Sequence, residues 1–357
     1  MDIKEILTPD IAITWLPWAV QYFFMMGLAY SAVWIAALTI IRPGAKDRRL
    51  LTLCGSLILS TAIVAPVALL ADLHQPARAW HFYMQLRPDS WMWYGAWLLP
   101  LFMAAALAFA YLLLRPSLPT QPKDGWSRLG YWLRLGNWQG EPWLKPLAWV
   151  ALLSGLSIAL YTGMETMAIK ARPLWHSYWL PPLFAASALA AGSGMLIWLN
   201  RLFNGHKQET DKQLLLWLRG SFALFALLLI GWALSGGNSA NEARLLLGDS
   251  PSWQLAALWV LATLALLALL LAFRHLPRWA LLFGSFAAIH LAWGFRWLVL
   301  IQAQTDPKYG AGTYFYELPW GPQGLLGILG TFGLWLALIT LISELIRQSA
   351  TGLKGAA

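Results

Sequence analysis

Residues 91–114 read WMWYGAWLLPLFMAAALAFAYLLL, twenty-four positions without one charged side chain. A helix rises 1.5 Å per residue, so about 20 apolar residues cross the ~30 Å hydrocarbon core of a bilayer. Eight more stretches have the same character, at 15–41, 50–72, 144–169, 178–200, 214–234, 253–273, 279–302 and 323–346. Together the nine use more than half of the 357 residues. The composition agrees: 59% of residues are hydrophobic and 11% charged, with a mean hydropathy of +0.56. A water-soluble domain carries about a quarter charged residues. The chain is therefore expected to be an all-α integral membrane protein with nine transmembrane helices. Disulfide-rich, fibrous and disordered classes are excluded.

A net charge of +9 invites comparison with nucleic-acid binders. Here, however, the basic residues are scattered through short loops between apolar runs, which is the membrane pattern. A single cysteine, Cys54, allows neither an internal disulfide nor a four-thiolate iron–sulfur cluster. Asp2, Glu5 and Asp10 precede an apolar run too long for a signal-peptide core, so no cleavable signal is expected. Loops and tail on one side hold 17 Lys and Arg, among them Arg42, Lys123, Arg128, Arg134, Lys207 and Arg274. The other side holds seven: Lys4, Arg78, Arg87, Lys170, Arg172, Arg244 and Lys308. Basic residues stay cytoplasmic. This puts the N-terminus in the periplasm and the C-terminus in the cytoplasm of a bacterial inner membrane.

The two faces differ in kind. Cytoplasmic loops are basic and chemically plain, whereas the outer loops gather prolines, aromatics and ionisable groups. Examples are Asp72–Tyr83, Lys170–His176 and Asp306–Tyr309. Any site is expected on the outer face. Asp72 ends span two, with His74 two residues on and Arg78 six on. These groups either bind and deprotonate a polar ligand head or tie the helix end through an Asp–Arg pair. Glu165 lies about one turn inside the outer end of span four, with Tyr161 one turn deeper on the same face. An intramembrane carboxylate is a functional candidate by default, and pairing with Lys170 or Arg172 is the alternative.

Arg296 is the one basic residue inside a span and needs a partner or a polar cavity. His290 lies six residues deeper, where an imidazole serves either as a ligand or as a bond between helices. Gln21 and Tyr22 in span one could hydrogen-bond a carbonyl near the outer interface. Most of the 24 tryptophans belong to the interfacial belts, and Trp91, Trp93 and Tyr94 are read as belt first and ligand wall second. Haem in a membrane bundle usually takes two facing histidines. His74, His81, His176, His206 and His275 fall in loops and leave only His290. All 16 acidic residues sit at or beyond the helix ends, so no ladder of carboxylates crosses the bilayer for a proton pump or a carboxylate-ring channel.

Several of these stretches resemble the membrane subunits of the NrfD/polysulfide-reductase family. The likeness lies in Trp15–Phe24, Asp72–Arg78, Ser90–Trp97, Tyr161–Gly163, Lys170–Ser177, Arg296–Thr305 and Leu329–Trp335. His74 stands where family members often have Gly. The resemblance implies a haem-free, quinol-oxidising anchor of two four-helix bundles, here residues 1–176 and 177–357, the second with an extra span. It also implies an iron–sulfur subunit and a molybdopterin catalytic subunit docked on the periplasmic face. Such a complex would carry electrons from menaquinol or another quinol to tetrathionate or a related sulfur compound in anaerobic respiration.

Matching positions carry the quinone-site role onto Asp72, Arg78, Tyr161 and Arg172. With the residues read above, Gln21, Tyr22, His74 and Glu165 are further expected contacts. Asp72 or His74 would accept protons, Glu165 being the alternative base, and Arg296 would stabilise a buried partner or semiquinone charge. Two other functions fit the composition. A secondary transporter would want helices broken at mid-membrane, for which Pro66 and Gly192-Ser193-Gly194 are the only hints. A passive anchor would tether a complex without binding quinone.

Overall fold

The computed structural model describes residues 13–44, 46–85, 87–121, 125–273, 276–306 and 315–354. Lys4, Lys123, Arg274, His275 and the loop residues Pro307, Lys308 and Tyr309 lie outside them. Every regular element among the described residues is helical: α1 (Pro17–Ile41), α2 (Arg48–Asp72), α3 (His81–Met84), α4 (Trp91–Leu114), α5 (Gly125–Leu133), α6 (Glu141–Met167), α7 (Leu180–Leu202), α8 (Gln208–Leu234), α9 (Asn238–Asp249), α10 (Pro251–Ala272), α11 (Arg278–Leu300) and α12 (Leu325–Lys354). Nine of these are long and apolar enough to span a membrane, and they fall on the nine expected stretches.

The largest shift in a helix start is at α8, which begins at Gln208 rather than 214. Its added turns carry Glu209 and Asp211, which favour the positive end of a helix dipole. A hydropathy reading sees only the hydrocarbon part. At the other end of the chain α12 runs past its apolar stretch to Lys354. Pro66 and Gly192-Ser193-Gly194 leave their helices unbroken, since α2 and α7 continue through them.

The first helix, α1, is the centre of the molecule. It packs against α2, α4, α6, α7, α11 and α12, and nearly all of its residues are buried. Around it α2 meets α4 and α4 meets α6, while α7 meets α8 and α11, and α10 meets α11. By contrast α8, α10 and α12 keep rows of Leu and Ile outward, such as Leu227, Ile230, Leu255, Leu258, Leu329 and Leu336. Outward apolar rows on helices whose backbone is internally bonded are what lipid requires.

At the basic end a polar clasp joins the α1–α2 turn to the α7–α8 turn. Arg49 donates to Asn200 Oδ1 at 3.0 Å and to the Phe203 carbonyl at 2.9 Å. Asn200 Nδ2 donates to Asp211 at 2.7 Å, and the same carboxylate pairs with Arg201 and, at 2.9 Å, with His206. The opposite end holds α3, α9 and the mouth of a cavity.

Candidate functional site

A cavity of about 740 Å³ opens at the end where α2 and α6 finish and α1 and α4 begin. Its walls are mostly apolar: Trp15, Ala19 and Phe23 from the α1 side, Pro66, Leu69 and Leu70 from α2, Trp91, Met92, Leu99 and Met103 from α4. Phe82 and Tyr83 of α3 reach over it. Tyr22, Asp72, Tyr161 and Glu165 converge on this space, with Asp89 and Ser90 also on its wall. A largely apolar cleft of this size with a few placed polar groups is the usual form of a small-molecule site.

Each polar group is set by its helix. Tyr161 and Glu165 are four apart on α6, so they share a face, and the phenol is within hydrogen-bonding reach of the carboxyl. Asp72 is the last residue of α2 and reaches to the start of α1, where Leu16 supplies no capping group of its own. Its carboxylate accepts from Leu16 N–H at 3.0 Å. Asp72 thus acts as a cap supplied by another helix, which satisfies a donor that would otherwise be orphaned beside Pro17. Asp72 and Glu165 are near enough to feel each other's charge, and Tyr22 lies close to Glu165.

Two residues shape the cavity through what they lack. Gly95 on α4 faces Tyr161 so closely that a Cβ there would lie 2.1 Å from the phenol carbon and oxygen. Only glycine leaves the ring where it is. Pro100, also lining the cavity, has no N–H, so the carbonyl of Ala96 one turn earlier loses its helical donor. Ala96 is itself a lining residue. Pro66 does the same to Ala62 on α2.

The remaining expected site residues lie elsewhere. His74 is exposed in the loop, close enough to Asp72 to interact electrostatically, and is not part of the cavity wall. Arg78 is exposed in the short 3-10 turn Pro76–Arg78. Gln21 is fully buried on the other side of α1, accepting from Trp293 Nε1 at 2.6 Å and donating to the Ile328 carbonyl at 3.3 Å. Arg172 donates to the carbonyls of Ala303 and Asp306 at 2.7 and 2.9 Å, and so braces the α6–α7 loop on the end of α11. His290 is half-buried between Trp259 and Phe286, with ring centroids 4.8 and 6.0 Å away.

Arg296 is 1% exposed and lies in the midst of α1, α7 and α11. Its guanidinium donates to Phe23 O at 3.1 Å, Ala292 O at 2.9 Å, Phe184 O at 3.1 Å and Ser187 Oγ at 3.2 Å. The Tyr30 hydroxyl lies close by and donates to the same Phe184 carbonyl at 3.3 Å. Among the described residues it has no carboxylate partner. Its neighbours need room, and a Cβ on Gly27 would come within 3.0 Å of Nη2.

Gly95, Ala96, Pro100, Asp89 and Ser90 all line the cavity and are not among the residues expected from sequence. A signal for two of them was present. A glycine and a proline four to five residues apart in an otherwise bulky apolar helix mark a close approach and a released carbonyl.

The same arrangement of apolar spans and outer-end residues is that of a known class of membrane protein. The profile of the family described as "Polysulphide reductase, NrfD" matches residues 9–307, and the chain belongs to this family. It is 36% identical to the C subunit of tetrathionate reductase from Salmonella typhimurium, over 97% of this chain and 96% of that protein. The C subunit of selenate reductase from Mesobacillus selenatarsenatis is 24% identical over 88% of this chain and 83% of its own length. The corresponding C polypeptide of polysulfide reductase from Wolinella succinogenes is 26% identical over 62% of this chain and 71% of its own.

Proposed function

We propose that this chain is the quinol-oxidising membrane subunit of a respiratory reductase complex, with the 740 Å³ cavity as its quinol site. The observation that carries the reading is the meeting of Glu165, Tyr161, Asp72 and Tyr22 in a cleft walled mostly by aromatic and aliphatic side chains. A quinol has two hydroxyls for such groups, a flat ring for the aromatic walls and an apolar tail that suits a cleft between helices. Its oxidation releases two protons and two electrons.

Protein side chains serve the protons. Glu165, facing the cavity and oriented by the Tyr161 hydroxyl, takes the first, acting as a general base. Asp72 stands at the helix end nearer the loops, where it can hand protons outward; its bond from Leu16 N–H holds its position. The Ala96 carbonyl, freed by Pro100, offers an acceptor to a quinol hydroxyl. The electrons need a partner. The relatives are named as the C subunits of tetrathionate, selenate and polysulfide reductases, which supports an iron–sulfur subunit and a molybdopterin subunit docked at the cavity end, on the periplasmic side. Identity of 36% to the tetrathionate reductase protein favours tetrathionate, or a related sulfur compound, as the final acceptor.

Glu165→Gln tests the reading in the assembled complex. Quinol-driven reduction should fall by about 10²-fold or more, the usual worth of a general base, while reduction driven by an artificial dye donor persists. Equal loss with both donors, or no loss with quinol, would overturn it.

A further inference from the structure

Away from the cavity, the segment joining α4 to α6 has a composition suited to a different ligand. Between Arg115 and Trp138 it carries Arg115, Lys123, Arg128 and Arg134 against a single acid, Asp124, together with three tryptophans. Its helical part, α5, turns Ser127 and Gly130 inward and packs against α12. On the opposite face Leu129, Trp132 and Leu133 are 44%, 70% and 44% exposed, with Arg128 at the border of that face. Arg115 is buried and stacks over Trp138 at 4.3 Å, and it donates to the Gly136 carbonyl. Arg134 ties the segment back through the carbonyls of Arg115 and Leu118. Among the described residues none of the three guanidiniums makes an ion pair.

The segment leaves the end of α4 and leads into the start of α6, which fixes α5 at the boundary between hydrocarbon and water. A short helix there with an apolar outer face and cations at its edge lies in the plane of the interface. We propose that α5 holds anionic phospholipid headgroups at the rim opposite the cavity, with Arg128 facing the phosphate and Leu129 and Trp132 among the acyl chains. Charge complementarity selects the lipid: an exposed cation with no carboxylate partner among the described residues favours phosphatidylglycerol over a zwitterionic headgroup.

Native mass spectrometry of the full-length protein, supplied with equal phosphatidylglycerol and phosphatidylcholine, tests this. Preferential retention of phosphatidylglycerol is expected, falling about fivefold in Arg128→Gln. Arg128 is exposed and braces no other part of the fold among the described residues, so this variant should fold normally. Equal retention by the wild-type protein, or an unchanged preference in Arg128→Gln, would overturn the proposal. So would displacement of the lipid by glycerol 3-phosphate at equal concentration, which would make this a site for soluble phosphate.

Discussion

Glu165 and Arg296 are both ionisable groups inside helices, yet the structure treats them in opposite ways. Glu165 lies beside a cavity, with one phenol in reach and space in front of it. Arg296 is closed in on every side, its donors taken by carbonyls and hydroxyls of α1, α7 and α11. A charge with room around it can exchange a proton or meet a ligand. A charge whose bonds are all used holds helices together. Under the proposed function, the contrast separates a residue placed to do chemistry from one that keeps the helices in place.

Beyond the loss expected for Glu165→Gln, Arg296→Met gives the sharpest test of the difference. It strips donors from buried acceptors, each costing about 1–3 kcal/mol when left unpaired, so a loss of several kcal/mol is expected. Thermal denaturation in detergent should register it, and quinol- and dye-driven activities should fall together. Next comes Gly95→Ala. Its added methyl must push the Tyr161 ring aside, and quinol-driven kcat/KM should drop about tenfold, a cost in the range of a forced core methyl. Dye-driven turnover should stay as it is.

Pro100→Ala should have effects of opposite sign on fold and function. The restored N–H re-engages the Ala96 carbonyl, so the melting temperature rises. Quinol-driven kcat/KM should fall about fivefold as one acceptor worth ~1 kcal/mol leaves the cavity. A melting temperature that fell would remove the carbonyl from the account. The smallest effect belongs to the cavity end of α9. There burial pushes the Glu242 carboxyl up from its ordinary range, and the hydrogen bond and charge of Asp306 push it further. A carboxyl raised in the folded state stabilises below its unfolded value, and that contribution is lost as pH rises through the folded one. Melting temperatures measured from about pH 4 to 7 should show a shallow decline that Glu242→Gln flattens.

The spans were legible because lipid leaves so little choice: about 20 apolar residues with every backbone group bonded internally. The short helices were not. α5 and α9 alternate polar and apolar residues over too few turns to stand out from loop sequence. For the site, sequence position supplied depth but not rotation. Gln21 and Tyr22 are neighbours at one depth, yet about 100° of helix turns Tyr22 to the cavity and Gln21 to α11 and α12. Arg172 likewise lies at the right level and spends its bonds on the end of α11. Asp72, Tyr161 and Glu165, singled out as carboxylates and a phenol near a helix mouth, do line the cavity. For Gly95 the sequence marks a close approach, but not that the ring it faces is Tyr161 of another helix.

The placement of α1 also bears on how the molecule is made. This span is synthesised ahead of the others, but its polar positions find their partners late: Phe23 with Arg296, Gln21 with Trp293 and Ile328. Until α11 and α12 are inserted, Gln21 has neither partner and the Asp72 cap alone fastens the helix mouth. The hub of the finished protein therefore has α2, α4, α6 and α7 to pack against before the ribosome completes the segments that satisfy its last polar groups.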